Sequence, residues 1–211
     1  RRRRRRRRRP PPPPPLFPPP PPPPPIDIGN NITVVTYHVV QVPVPDDTTI
    51  NTTVAAINIT LSFPTLGWCG IAWGDARKVN VSTITMTNSD YAIAELPGSS
   101  SSFVVRDYTY GRSGRKPVLD TDVDGVDDII AYHVEQHDGR TLWSFVKPLN
   151  TSDAANDVDN VLLGGAPTPL IAAHARNDDE KQLAYHGSGL HVRFELPLVD
   201  GAPPAPPGPT P

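Results

Sequence analysis

Proline rules out helix and sheet at both ends of this chain. Most of the 29 prolines lie in Pro10–Pro15, Pro18–Pro25 and the last segment, Gly201–Pro211. Because proline has a fixed φ and no amide hydrogen, such tracts cannot enter a helix or the interior of a sheet. Residues 10–25 are therefore expected to form a polyproline II rod of about 50 Å, and residues 201–211 a proline-rich tail. One folded domain is expected between them, at residues 26–200.

A basic arm, residues 1–9, precedes the rod. Arg1–Arg9 carry nine positive charges, whereas the rest of the chain has 11 basic and 22 acidic side chains, a net charge of −11. Such a block repels itself, which predicts a solvated tail, or else a clamp for an anionic polysaccharide or an acidic protein surface. No apolar run reaches the roughly 18 residues of a membrane helix, so no transmembrane segment is expected. No signal peptide is visible either, so a secreted protein would be a processed or partial chain.

Short segments rich in Val, Ile and Thr, separated by turn residues, fill the central region. The predicted strands are Asn31–Val42, Thr52–Phe63, Leu66–Trp73, Met86–Leu96, Phe103–Tyr110, Asp128–Glu135, Thr141–Val146, Pro169–Ala173 and Leu190–Leu196. The turn His137-Asp138-Gly139-Arg140 favours a hairpin. Strands at this spacing, without helical periodicity, predict an all-β antiparallel sandwich. Cys69 is the only cysteine, which excludes an internal disulfide, and its apolar neighbours predict a buried core residue.

Half of the ten asparagines begin an N-glycosylation sequon. These are Asn31, Asn51, Asn58, Asn80 and Asn150. In the predicted strand Thr52–Phe63, the alternation places Asn58 on the face opposite Ile57 and Ile59, where a glycan can be carried. The pattern predicts an extracellular glycoprotein. The other interpretation is a set of polar strand edges rich in Asn and Thr.

An acidic segment, DTDVDGVDD, has the spacing of a calcium-binding loop. The predicted ligands are the carboxylates of the first, third, fifth and ninth positions and the carbonyl of the seventh: Asp120, Asp122, Asp124, Asp128 and Val126. Ala131 stands where an EF-hand requires a bidentate Glu, so an EF-hand proper is excluded. Two interpretations remain: an incomplete calcium loop completed from elsewhere, and an acidic hairpin that needs no ion.

The aromatic residues allow two interpretations, and no catalytic motif is present. Sugar stacking or core packing would each explain Trp68, Trp73, Trp143, Tyr91, Tyr108 and Tyr110, with core packing the more usual role. No HExxH, GxSxG, Walker or paired-cysteine motif occurs. The chain is therefore not expected to be an enzyme.

Five segments follow one another in a recognisable order: LGWCGIAW at 66–73, MTNSDYAIAEL at 86–96, WSFVKPLNTSD at 143–153, PLIAAHA at 169–175 and LAYHGSG at 183–189. Together they resemble the DOMON family, over roughly residues 31–196. The resemblance implies an extracellular, immunoglobulin-like β-sandwich that binds haem or sugar.

The same resemblance implies a haem b site. In haem-binding DOMON modules one methionine and one histidine are the axial ligands, and the matching positions here are Met86 in MTNSD and His186 in YHG. Such ligation suits one-electron transfer. His191 is a second candidate for the histidine, and His174 stands where the family usually has a small residue. Without haem, Met86 would be core filler and His186 part of a loop.

The folded head between proline-rich segments resembles the hydroxyproline-rich glycoproteins of plant and green-algal walls and matrices. With the sequons, this predicts an extracellular structural glycoprotein of a cell wall, matrix or surface filament. Its expected partners are copies of itself arranged head to tail, or other wall glycoproteins and polysaccharides, and not nucleic acid. The alternatives are an extracellular haem b electron-transfer module and a carbohydrate-binding module.

Overall fold

Strands make up most of the chain that the computed structural model describes, namely residues 24–43, 53–74, 79–98, 101–110, 117–149, 167–184 and 189–197. The strands are Ile26–Gly29 (β1), Ile32–Pro43 (β2), Thr53–Phe63 (β3), Cys69–Gly74 (β4), Ser89–Glu95 (β5), Val104–Tyr110 (β6), Pro117–Leu119 (β7), Ala131–His137 (β8), Arg140–Pro148 (β9), Pro167–His174 (β10) and His191–Pro197 (β11). Short 3-10 turns lie at Met86–Asn88 and Asp120–Val123. The arm, the proline rod and the proline-rich tail lie outside the described residues.

The strands form two antiparallel sheets. One has the order β1-β2-β3-β9-β8 and the other the order β11-β10-β4-β5-β6-β7. Every pair of neighbouring strands runs antiparallel. The predicted all-β antiparallel architecture is confirmed, and it is sandwich-like.

The main core lies between the two sheets. It joins residues of β3 and β9 in the five-stranded sheet, such as Leu61 and Trp143, to residues of β4 and β10 in the six-stranded sheet, such as Trp73 and Leu170. In β3, odd-numbered residues from Ile57 to Phe63 are buried and the even-numbered ones are only half-buried. One face of the five-stranded sheet therefore meets the core and the other faces outward, as the period of two predicts.

A second apolar cluster covers the outer face of the six-stranded sheet. Trp68, Tyr91 and Ile171 belong to it, and Met86 and Leu183 pack against it from the sides. All residues of β4 and β5 are consequently buried on both faces. This explains why the segment LGWCGIAW is apolar without alternation.

Each predicted strand has a counterpart, and two strands were not predicted. The hairpin at His137–Arg140 is confirmed, with Asp138 and Gly139 at φ values of 50° and 72°. The missed strands β1 and β7 have four and three residues, which is too short for a periodic pattern. None of the helical turns in the described part of the chain has the length and hydrophobicity of a membrane-spanning helix.

Candidate functional site

Lys147 lies inside the molecule, on the core face of β9. In this strand Thr141, Trp143, Phe145 and Lys147 point inward, and the residues between them are half-buried. Because alternate residues share one face of a strand, the phase that buries Trp143 and Phe145 also buries Lys147, whose side chain is 0% exposed.

Two aspartates of the opposite sheet contact Lys147, and a third lies beside them. The Lys147 Nζ atom is 2.5 Å from Asp107 Oδ1 in β6 and 2.9 Å from Asp90 Oδ2 in β5. Asp120, in the 3-10 turn after β7, brings a carboxylate oxygen within 4.8 Å of those of Asp90 and Asp107. All three aspartates are at most 1% exposed. We call these four residues the Lys147 cluster.

The charges of the Lys147 cluster do not cancel if every group is ionised. Three carboxylates would then face one ammonium group in a dry interior, where an excess charge is costly. Burial raises the pKa of Asp107, although Lys147, the Asp128 backbone and Asp90 act in the opposite direction. Burial alone would lower the pKa of Lys147, but Asp90 and Asp107 raise it above its usual value. The cluster thus keeps the lysine protonated and favours a further proton or cation among the carboxyl groups.

Aromatic rings enclose the lysine side of the cluster. Lys147 Nζ lies 5.0 Å from the centroid of the Trp73 ring, a cation–π distance. Trp73 in turn stacks on Phe145 with centroids 6.2 Å apart, and Phe145 stacks on Trp143 at 5.1 Å. In such surroundings hydrogen bonds and charge pairs are stronger than in water. The site can hold an ion pair and can move a proton between Lys147 and a carboxyl group.

The predicted calcium ligands divide between this cluster and the surface. Asp120 belongs to the cluster, and the backbone N–H of Asp128 donates a hydrogen bond to Asp107 Oδ2 at 3.0 Å. Asp122 and Asp124 are exposed, and Val126 is 56% exposed. Among the described residues, Asp90, Asp107 and Asp120 form a group of buried carboxylates that lie within 4.8 Å of one another, and only Asp120 of this group is also a predicted calcium ligand.

The Asp-Gly pair of the acidic segment has a conformational role. Asp124 ends the 3-10 turn with φ at 65°, and the backbone N–H groups of Asp124 and Gly125 both bond to the Asp120 carbonyl. A Cβ atom at Gly125 would lie 2.9 Å from that carbonyl oxygen. The turn itself thus requires a residue that tolerates positive φ, followed by glycine.

Of the predicted haem ligands, the structure describes Met86 and not His186. Met86 is half-buried at the rim of the second apolar cluster, and its carbonyl accepts a hydrogen bond from the Tyr91 hydroxyl. His186 lies outside the described residues. His191 begins β11, where its carbonyl accepts a hydrogen bond from Asn30 at 2.9 Å. His174 is buried, with Nδ1 2.8 Å from the Ala175 carbonyl oxygen.

The three sequon asparagines that the structure describes all lie outside the cores. Asn31 and Asn80 are exposed, and Asn58 is half-buried on the outward face of β3. The Asn80 side-chain oxygen accepts hydrogen bonds from the N–H and hydroxyl of Ser82, so this turn uses the oxygen rather than the Nδ2 atom that carries a glycan. Asn51 and Asn150 lie outside the described residues.

Most of the aromatic residues considered for sugar stacking are core residues. Trp68, Trp73, Trp143, Tyr91 and Tyr108 are buried, so the core interpretation is the one the structure shows for them. Tyr110 is half-buried beside the second apolar cluster. Cys69 is fully buried as predicted, and burial raises the pKa of its thiol well above its usual value.

Lys147, Asp90 and Asp107 were not among the residues singled out from the sequence. One signal was present: Lys147 continues the alternation of Trp143 and Phe145, and Asp107 lies between Val105 and Thr109 on the buried face of β6. A charged residue at an inward-facing position of a predicted strand is easily taken for the end of that strand, because charged side chains are rarely buried without a partner.

No family model, curated protein or solved structure matches this chain.

Proposed function

We propose that this chain is an extracellular structural glycoprotein of a cell wall, matrix or surface filament. Its head is a DOMON-like, immunoglobulin-like sandwich that carries glycans, and its proline rod is an assembly element. The proposal assigns no enzymatic role to the head.

The observation that carries the proposal is the position of the sequon asparagines. Asn58 faces outward between His38 of β2 and Val146 of β9, which are its partners in register. On this face Thr60 and Ser62 are its polar companions. Asn31 occupies the turn between β1 and β2 with φ at 62°, a positive value that asparagine tolerates well. Glycans at these positions would meet solvent without disturbing either core.

In this proposal the proline rod of a neighbouring copy docks at β8, an edge strand of the described part of the five-stranded sheet. β8 is the last strand of the five-stranded sheet, and Tyr132 in it is 47% exposed. Val126 and Ile130, just before the strand, are 56% and 42% exposed. Polyproline II helices dock on exposed aromatic residues at low entropic cost. With the three tryptophans buried, Tyr132 is the residue we assign to this contact.

Glycopeptide mapping of the native protein tests the proposed function. We expect N-glycans at Asn31, Asn58 and Asn80, and an unmodified Asn177, which is exposed but begins no sequon. Thr60→Ala and Ser82→Ala should each remove one glycan while the asparagine stays in place. Native protein with unmodified asparagines at all three positions would contradict an extracellular glycoprotein.

The second candidate is a haem b electron-transfer module with Met86 and His186 as axial ligands. It is supported by the half-buried position of Met86, which packs against the second apolar cluster and is not a member of the main core. An absorbance scan of native protein separates the candidates. A Soret band that shifts on reduction and is lost in Met86→Ala supports haem, whereas native protein without a Soret band contradicts it.

A further inference from the structure

The contact between Lys147 and Asp107 joins the two sheets of the sandwich. Lys147 lies in β9 of the five-stranded sheet and Asp107 in β6 of the six-stranded sheet. Their side chains are both 0% exposed, and Nζ is 2.5 Å from Oδ1. We propose that these two side chains condense to an intramolecular amide, an isopeptide bond that locks one sheet covalently to the other.

The reaction needs no cofactor and balances within the cluster. A proton passes from the Lys147 ammonium to the Asp107 carboxylate, which leaves a neutral amine and a protonated Asp107. The amine lone pair attacks Asp107 Cγ, the C–N bond forms, and the C–O bond to the departing hydroxyl breaks. The attacking nitrogen loses one proton, the departing hydroxyl takes up that proton, and the hydroxyl leaves as water. The product is one amide and one water molecule, with no change in oxidation state.

Burial favours the neutral form of both groups, whereas Asp90 and Asp107 hold Lys147 protonated until a proton passes to Asp107. The raised pKa of Asp107, which follows from burial, favours the protonated acid that an amine can attack. The ion pair loses much of its advantage over the neutral pair when water is excluded. Two strands fix the reacting groups at contact distance, which gives an intramolecular reaction a high effective concentration.

Asp90 is the proton carrier in this scheme. Its Oδ2 atom is 2.9 Å from Lys147 Nζ, so it can accept a proton from the attacking nitrogen and return it to the departing hydroxyl. Asp120 lies within 4.8 Å of both other carboxyl groups. It acts as a positioning residue, which keeps a proton shared among the three carboxyl groups.

The intact mass of the denatured full-length protein tests the bond directly. Protein produced in a bacterial cytoplasm avoids glycans and hydroxylated prolines. We expect its mass to fall one water molecule below the mass of the sequence. A mass equal to that of the sequence, in protein shown by circular dichroism to be folded, overturns the proposal. This test needs no variant to fold.

Trypsin identifies the acceptor, because each aspartate falls in a different peptide. Cleavage after arginine and lysine, but not before proline, puts Lys147 in residues 141–176, Asp107 in 107–112, Asp90 in 79–106 and Asp120 in 116–140. We expect one branched peptide, 107–112 joined to 141–176. A branched peptide with 79–106 or 116–140 overturns the assignment of Asp107.

Variants separate the bond from a merely buried ion pair. Lys147→Arg keeps the positive charge but should restore the full mass, whereas Lys181→Arg, at a half-buried lysine bonded to the Leu66 carbonyl, should keep the deficit. Asp90→Asn should slow bond formation, seen as a mixture of two masses that shifts toward the lower mass with time. A deficit that persists in Lys147→Arg would overturn the role of Lys147.

Discussion

At the scale of single residues, the Lys147 cluster is the most demanding feature of the molecule. Its three aspartates and one lysine are almost fully buried, and the interior tolerates them because they lie in contact with one another. Removal of one partner from such a cluster costs about 3–5 kcal/mol, since the remaining charge stays buried. The same closeness that makes the cluster tolerable brings an amine and a carboxyl group to reacting distance.

The buried tyrosines give a prediction about alkaline pH. Burial raises the pKa of Tyr91, and burial together with Glu95 raises that of Tyr108, whose hydroxyl donates to Glu95. Because the pKa of each hydroxyl is higher in the folded than in the unfolded protein, its protonated form stabilises the fold. This stabilisation is fully present below the usual value of 10.0 and is lost as the pH rises through the folded-state pKa. In absorbance titrations, these two tyrosines should ionise only together with unfolding. Tyr108→Phe should remove one of the late-ionising groups, and ionisation of both near pH 10 in folded protein would contradict their burial.

The acidic segment predicts that calcium stabilises the fold. If Asp120, Asp122, Asp124, Val126 and Asp128 hold calcium, a hundredfold excess over the dissociation constant stabilises the fold by about 2.7 kcal/mol. EDTA should lower the melting temperature and calcium should restore it. Asp122→Asn, at an exposed position, should abolish the response. Identical melting curves with calcium and with EDTA would leave the turn as an acidic hairpin.

At the scale of structural elements, residues 175–184 are held against the start of β4. Trp68 N–H donates to the Glu180 carbonyl, Ala175 N–H donates to the Trp68 carbonyl, and Leu66 N–H donates to Asp178 Oδ1. Ala175 belongs to the second apolar cluster and Leu183 packs against it, so these contacts hold two residues of this segment at that cluster.

Gly67→Ala should loosen this contact. Its Cβ would lie 2.4 Å from the Ala175 Cβ and 2.8 Å from the carbonyl oxygens of Asn177 and Glu180. Overpacking of this kind costs about 1–3 kcal/mol, measured as a lower urea midpoint with an unchanged slope. Gly98→Ala is the matched control, because the nearest atom to its Cβ is 3.5 Å away. Equal midpoints for both variants would show that the segment moves aside at no cost.

The strands were largely predictable from sequence, and the cluster was not. The alternation in β3 and β9 follows from one buried face, and Asp138-Gly139 follows from the positive φ of a tight hairpin. The cluster depends on the register of distant strands, which brings Asp90 and Asp107 opposite Lys147. Register between sheets leaves no local mark on the sequence, and a lysine in the core phase contradicts the usual pattern of burial.

At the scale of the whole molecule, the proposed function combines a glycosylated head with a rod that reaches a neighbour. The arm carries nine positive charges and the rest of the chain a net charge of −11. Under the proposed function, the polyproline II rod expected from the sequence would be about 50 Å long, against the roughly 30–40 Å diameter expected of such a head. It would then pass its own head and lie along the next, and repetition of this contact would produce an open filament.

The measurement that tests this account most directly is the size of native assemblies with and without residues 1–25. We expect the full chain to form large particles at low salt by light scattering, and these to shrink as salt screens the arm. Protein lacking residues 1–25 should remain monomeric, and Tyr132→Ala in the full chain should weaken assembly. Assemblies of unchanged size after removal of residues 1–25 would contradict the account.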